Sequence, residues 1–369
     1  MINIAAPQIG DEEKRAVQEV LESGMLAQGP RVKAFEDAFA EMCDVKYAVA
    51  TSSGTTALHT ALLAHNIGFG DEVITTPFTF IASANSILYT GAKPVFIDID
   101  PSTFNIDPQK IEAGITPRTR AIMPVHLFGL SCDMKPIKEI AQRYDLAIIE
   151  DACQSHGATY FGIKVGSFGC GAFSLYPTKN ITSAEGGMIT TNDAQIAEEC
   201  RTIRQHGMSV RYHHQQLGYN YRMSDVHAAI GYEQLKKLER FNQARQENAS
   251  YLNQHLQGVI TPFVPEGYQH VFHQYTIRVP GGQRDALRDF LRESGIVSGI
   301  YYPIPIHKQP YYVHEFGEAL TLPEAEKAAR EVLSLPIHPG LSKEDLAKIV
   351  ATVNQFADKF IQSRGENVA

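Results

Sequence analysis

The sequence predicts an α/β protein: a large domain on a mostly parallel sheet, followed by a smaller C-terminal α/β domain. Three observations carry that prediction. Between residues 47 and 191, short apolar runs alternate with amphipathic stretches. This is the pattern of parallel strands joined by helices that cover both faces of a sheet. The 369 residues exceed what one hydrophobic core usually organises. The chain also changes character over residues 258–265, GVITPFVP, which places a boundary between 1–257 and 258–369.

The helices and strands follow from spacing. Residues 11–23 carry acidic side chains early and Ala16, Val17, Val20 and Leu21 at helical intervals. The GMLAQGP segment breaks that helix, and residues 32–42 form a second amphipathic one. Strands are expected at 47–50, 72–75, 94–99, 121–125, 146–150, 172–175 and 188–191. Helices are expected at 57–64, 80–89, 133–144 and 194–204. Residues 208–221 are rich in Tyr, His and Gln without apolar periodicity, and read as a long loop or flap. A strongly periodic helix over 224–240 continues to 256 and leads into the smaller domain. There the pattern gives strands at 273–279 and 297–301, and helices at 284–294, 323–333 and 343–361.

Composition removes several functional classes. A net charge of −8 with scattered Lys and Arg argues against a nucleic-acid surface. No apolar run approaches bilayer length, and the first residues mix acidic and basic groups too early for a signal peptide. The five cysteines include no CxxC pair, so neither a zinc site nor a disulfide framework is expected. They fit reduced thiols in a cytoplasmic protein. His213 and His214 have no third ligand at useful spacing, so no metal is expected either.

In doubly covered sheets, ligands collect at the carboxyl ends of strands. Four chemically distinct elements fall at such ends. The 47–50 strand runs into Ser52-Ser53-Gly54-Thr55-Thr56 and then a helix. That is a phosphate-binding arrangement of backbone N–H groups and hydroxyls, or equally an ordinary helix cap. The aromatic pair Phe78/Phe80 follows the 72–75 strand, and Asp151 follows the 146–150 strand. Asp151 reads either as a helix cap or as the partner of a cationic heterocycle, with Gln154 and His156 close behind. Lys179 lies just past the 172–175 strand, after a Tyr-Pro-Thr turn and before Gly186-Gly187. A desolvated lysine there would have a lowered pKa and could form a Schiff base with a carbonyl.

Phosphate cup, aromatic, aspartate and lysine in that order describe a pyridoxal phosphate site. The strings SSGTTALHTAL, GDEVITTPFTFIASA, GAKPVFIDID, AIMPVHLFG, IIEDACQSHGA, FSLYPTKNITSAEGGM, RQHG, GYNYRMSDVHAAIG and YYPIPIHKQPYY resemble the DegT/DnrJ/EryC1/StrS family of sugar aminotransferases. The resemblance spans essentially the whole chain. It implies a fold of the aspartate aminotransferase type (fold type I) and a homodimer with active sites at the subunit interface. By motif, Lys179 would carry the cofactor as a Schiff base and serve as general acid/base, and Asp151 would pair with the pyridinium nitrogen. Phe80 would stack on the ring, and Gln154 would bond its phenolic oxygen. Gly54, Thr55, Thr56 and Ser174 would hold the phosphate, joined by Asn220 from the neighbouring subunit. His307 and Tyr302 lie in a loop that borders the sugar pocket in family members. Arg204, His206 and Arg222 are further candidates for an anionic substrate group, the arginines equally fitting structural ion pairs.

The resemblance implies transfer of an amino group from L-glutamate to a 3-keto or 4-keto sugar on UDP, dTDP or GDP. The product would serve surface polysaccharide, lipopolysaccharide or antibiotic synthesis. A keto-inositol acceptor and a non-enzymatic regulatory relative are the alternatives. Lys179 separates this chain from the subset that carries histidine there and dehydrates sugars.

Overall fold

The structure, a computed structural model, describes residues 1–317 and 319–366. Seven strands form the main sheet: β1 (Tyr47–Thr51), β2 (Glu72–Thr75), β3 (Lys93–Phe96), β4 (Thr119–Ile122), β5 (Ala147–Asp151), β6 (Cys170–Ser174) and β7 (Gly187–Thr191). Their spatial order is β1-β7-β6-β5-β4-β2-β3. β2, β3, β4, β5 and β6 run parallel, and β7 is antiparallel to both neighbours, β6 and β1. β1 therefore points the same way as β5 and β6. All three bring their carboxyl ends to one edge of the sheet.

Alternation along each strand sorts the side chains between two cores. Val49, Val73, Ala121, Ile149, Ala172 and Ile189 face the helices Gly54–Ala64 and Ala194–Arg204, meeting Leu58, Leu62, Ala197 and Ile203. On the other face Ala48, Ala50, Phe173 and Met188 meet Phe35 and Phe39 of the Pro30–Cys43 helix, while Ile74 and Ile122 meet Ile137 and Ile140.

The Pro30–Cys43 helix has a long-range cap. The Asp225 carboxylate accepts hydrogen bonds from the backbone N–H groups of Gly29 (2.8 Å), Val32 (3.0 Å) and Arg31 (3.2 Å). A Cβ on Gly29 would lie 2.7 Å from Asp225 Oδ2, so only glycine lets the carboxylate in.

A second core lies at the C-terminal end of the chain. Strands β8 (Tyr275–Arg278) and β9 (Val332–Leu335) pair antiparallel, and the helices Arg284–Glu293 and Lys343–Glu366 cover them. Ile277, Leu287, Leu291, Leu333, Leu335 and Ile349 are buried here together with Ala249, Leu252 and Ile2. Ile2 reaches it through a parallel bridge to Ile296.

Four expected elements differ. The helix expected over 224–256 is two, Asp225–Leu235 and Leu238–His255. At the break, Lys237 Nζ binds the buried Glu13 carboxylate at 2.7 and 2.9 Å. The helix expected over 323–333 stops at Glu331, and β9 follows because β8 offers a strand edge for its backbone. The strand expected at 297–301 is reduced to one bridge, Gly299 to Ser334. The expected flap contains a short antiparallel hairpin, Met208–Val210 with His213–His214. Among the described residues, no helix is long and apolar enough to cross a membrane.

Candidate active site

At the end of β1, Ser53 caps the Gly54–Ala64 helix. Its Oγ accepts from Thr56 N at 3.1 Å, while Thr56 Oγ1 accepts from Ser53 N and donates to Ser53 O, both at 2.9 Å. The Thr56 hydroxyl is thus occupied inside the turn. Thr55 makes no side-chain hydrogen bond among the described residues, and the N–H groups of Gly54 and Thr55 have no intrahelical acceptor. Gly54 lies hard against the next strand end, where a Cβ would meet Ser174 Cβ at 2.7 Å and Cys153 Sγ at 2.9 Å. The cap reading holds, and the cap orients the turn so that the Gly54 and Thr55 N–H groups stay free at the helix start, a geometry suited to an anion.

β5 delivers Asp151, which is buried. No helix follows it, so the cap reading fails. Instead Oδ1 accepts from Cys153 N at 3.2 Å and Oδ2 from Ser83 Oγ at 2.6 Å. Ser83 in turn contacts Thr79 Oγ1 at 3.0 Å. Phe80, between those hydroxyls in sequence, is outside the Ala82–Tyr89 helix and is 56% exposed, which leaves its ring free to cover a ligand. Its centroid lies 6.2 Å from that of Tyr302. Gln154 is fixed at both ends: Oε1 accepts from Phe128 N at 2.9 Å, and Nε2 donates to Tyr302 Oη at 3.0 Å. One amide proton remains available. Burial raises the Tyr302 pKa, so the phenol stays protonated and can still donate.

His156 does not join this ring of groups. It packs beneath the sheet against Phe173 and Phe39, with centroids at 5.3 and 6.3 Å, and neither nitrogen has a partner at good hydrogen-bond geometry among the described residues. Burial lowers its pKa to about 3, and the Lys179 charge pushes the same way. The neighbour of Asp151 on β5, Glu150, points into the core as a fully satisfied carboxylate. It accepts from Gly166 N (2.7 Å), Phe168 N (2.9 Å) and Gly169 N (3.0 Å), and pairs with His126 Nε2 at 3.0 Å.

Lys179 follows β6 in a turn closed by Lys179 N to Tyr176 O at 2.9 Å. The adjacent Asn180 anchors that turn from below, donating to Asn242 Oδ1 at 2.7 Å and to Val271 O at 2.9 Å. Asn242 also holds His156 O at 2.9 Å, tying the lysine turn to the aspartate loop. The lysine ammonium forms no hydrogen bond or ion pair among the described residues. Packing around it lowers its pKa, with the Asp151 charge acting in the opposite direction. A depressed, unpaired amine within electrostatic reach of a buried carboxylate is poised to act as a nucleophile.

The other candidates separate. Arg204 is buried: its Nη1 pairs with Glu36 Oε1 and donates to Ala50 O, both at 2.6 Å. That structural pair removes Arg204 from the substrate-binding set. His307 is buried as well, with Nε2 3.1 Å from Glu326 Oε1, so it braces the Pro323–Glu331 helix rather than facing the cleft. Tyr302, from the same loop, does reach the site through Gln154. His206 is exposed at the base of the hairpin, where its carbonyl contacts His214 Nδ1 at 2.8 Å. Asn220 is exposed and Arg222 half-buried, neither with a side-chain partner among the described residues. Sequence reasoning missed Ser83 and Thr79; the signal was a hydroxyl pair four residues apart flanking Phe80.

Backbone donors and hydroxyls at the end of β1, a buried carboxylate at the end of β5, an exposed aromatic and an unengaged lysine share one edge of this sheet, which has the architecture of a pyridoxal-phosphate-dependent transferase of fold type I. The residues present fit that cofactor, because the turn that has no room for a Cβ at Gly54 offers free donors and the lysine amine is unengaged. Residues 7–354 match the DegT/DnrJ/EryC1/StrS aminotransferase family, and the chain belongs to it. It is therefore a PLP-dependent sugar aminotransferase by family. It is 45% identical over 360 residues to a "pleiotropic regulatory protein" of Geobacillus stearothermophilus, covering 96% of each chain. It is 44% identical over 365 residues to the GDP-perosamine synthase of Caulobacter vibrioides, covering 96% of this chain and 98% of that one. The solved structure of NtdA from Bacillus subtilis with bound pyridoxamine phosphate superposes with a TM-score of 0.88 at 34% identity. That match covers 94% of this chain and 82% of the other.

Proposed function

We propose that this protein transfers an amino group from L-glutamate to a keto sugar carried on a nucleotide, producing an amino sugar for surface polysaccharide or related glycans. The observation that carries the reading is the Lys179 amine: half-buried just past β6, with no hydrogen bond or ion pair among the described residues, and within reach of the Asp151 charge. When bound, pyridoxal phosphate supplies an electron sink that stabilises a carbanion at the carbon losing its proton. Lys179 would hold the cofactor at rest and, once displaced by substrate, move the proton at that carbon. Asp151 would keep the ring nitrogen protonated. The spare amide proton of Gln154 would hold the phenolic oxygen, and Phe80 would cover the ring face. Thr55, Ser174 and the N–H groups at the helix start would grip the phosphate, with Thr56 shaping the turn.

Tyr302 is the sugar-side residue this geometry supports, and Arg222, with no side-chain partner among the described residues, is a cation for an anionic group. Exposed Asn220 suits a role in the neighbouring site of a homodimer. The GDP-linked product named for the Caulobacter relative supports a nucleotide-sugar acceptor, and the free cysteines support a reducing, cytoplasmic setting.

The test is spectral. Enzyme loaded with pyridoxal phosphate is mixed with L-glutamate, and the cofactor band is followed to its amino form. Keto sugars on UDP, dTDP and GDP are then offered, with a keto-inositol beside them. Return of the original band names the acceptor. Lys179→Ala should abolish both half-reactions, and a tenth of normal turnover in that variant would refute the lysine assignment. The name of the Geobacillus relative favours a second, regulatory reading. Failure of the protein to take up cofactor would support it.

A further inference from the structure

We propose that Ser83, backed by Thr79, is the positioning residue that aims the Asp151 carboxylate at the cofactor's ring nitrogen. The inference rests on Asp151 being that nitrogen's partner. Ser83 Oγ lies 2.6 Å from Asp151 Oδ2, the shorter of that carboxylate's two bonds, the other being Cys153 N to Oδ1 at 3.2 Å. An ionised carboxylate only accepts, so the Ser83 hydroxyl donates its one proton to Asp151. The Thr79–Ser83 contact at 3.0 Å must then run with Thr79 as donor. The relay is therefore directional: Thr79 to Ser83 to Asp151.

Its placement matters as much as its length. Thr79, Ser83 and Asp151 are all buried, so no water can replace the hydroxyl if it is lost. One bond to each oxygen fixes the rotation of the carboxylate plane and leaves its remaining lone pairs in set directions. Thr79 and Ser83 also flank Phe80, and Ser83 N donates to Phe80 O at 3.1 Å. The same turn therefore sets both the ring-covering aromatic and the acid that faces the ring nitrogen. Further along that helix, Asn85 Oδ1 accepts from Tyr312 Oη at 2.8 Å, which anchors it.

The experiment loads the full-length protein with pyridoxal phosphate labelled with 15N in the ring, and reads the nitrogen's NMR shift together with cofactor affinity. Wild type should show a protonated nitrogen, and Asp151→Asn a neutral one. Ser83→Val should move the signal toward neutral and weaken cofactor binding about 5- to 20-fold. Ser83→Thr, the same shape with a hydroxyl, should match wild type. Thr79→Val should give a smaller change in the same direction. Equal behaviour of Ser83→Thr and Ser83→Val would overturn the proposal, because packing rather than the hydroxyl would then matter. So would a wild-type signal in Ser83→Val alongside a neutral one in Asp151→Asn. A protonated nitrogen in Asp151→Asn would instead remove the Asp151 assignment itself, and the proposal with it.

Discussion

Replacing Gly54 with alanine tests the phosphate cradle by steric means alone. The added methyl would sit 2.7 Å from Ser174 Cβ, 2.9 Å from Cys153 Sγ and 3.1 Å from Ser174 Cα. Carbon atoms pack comfortably at about 3.5 Å or more, so the turn and the end of β6 would have to part by roughly 0.8 Å. Little can yield. Ser174 is hydrogen-bonded in register with Gly187 of β7, and a Cβ on Gly187 would itself press into the Ser53 carbonyl. Overpacking of this kind costs about 1–3 kcal/mol of stability. The larger effect falls on the cofactor. Shifting the turn would misalign the donors proposed to hold the phosphate, and one charge-assisted hydrogen bond contributes about 1.5–3 kcal/mol. At about 1.4 kcal/mol per decade, Gly54→Ala should weaken pyridoxal phosphate binding roughly 10- to 100-fold. Titrating the apoprotein with cofactor by fluorescence measures this directly. Binding within twofold of wild type would refute the close-approach argument, and with it the assignment of this turn as the phosphate site.

Two other perturbations follow from buried charge. Burial lowers the pKa of His156 and His270 to about 3, so both imidazoles are neutral in the fold. The unfolded chain protonates them near pH 6.5, so their contribution is intact above that value and lost as pH falls toward 3. Each should cost about 2 kcal/mol by pH 5, visible as a falling urea midpoint between pH 7 and 5. His156→Phe should remove about 2 kcal/mol of the fall by pH 5, while other buried imidazoles such as His59 and His273 keep theirs; an unchanged slope would contradict the account. Arg204→Met should destabilise by about 3–5 kcal/mol, because Glu36 would keep only the Ala50 N–H. Adding Glu36→Gln should restore part of the loss, while a single-variant cost below about 1 kcal/mol would return Arg204 to the list of functional residues.

The sheet was legible because short apolar runs alternate with amphipathic stretches, and four of those runs end at chemically distinctive residues. Asp151 and Lys179 could be placed at an edge before any contact was known. What the pattern could not show was competition between partners. The run Val332–Leu335 continues the helical spacing of the preceding helix, and only the free edge of β8 makes it a strand. Lys236 and Lys237 read as helix interior, but Glu13, more than two hundred residues away, pulls the chain out of line there. In the site, His307 and Arg204 carried the right chemistry for a substrate. Each was claimed by an acid from a distant segment, Glu326 and Glu36. Asn180 and Asn242 looked like ordinary polar residues, and their role as a tie beneath the lysine turn exists only in three dimensions.

The Asp225 carboxylate that caps the Pro30–Cys43 helix sets a timetable for biosynthesis. Residues 29–32 leave the ribosome with bare N–H groups, and their acceptor lies almost two hundred residues downstream. At about 5–20 residues per second, that gap lasts roughly 10–40 s. β1 waits similarly, since its sheet partner, β7, ends at Thr191. During that interval the strand lacks its sheet partner, and the helix face carrying Phe35 and Phe39 has little beyond Ala48 and Ala50 of β1 to pack against until Phe173 and Met188 emerge. Nascent chains stalled before residue 225 should therefore be strong clients for chaperones that bind exposed apolar segments. Chains released beyond it can complete the first layer of the fold.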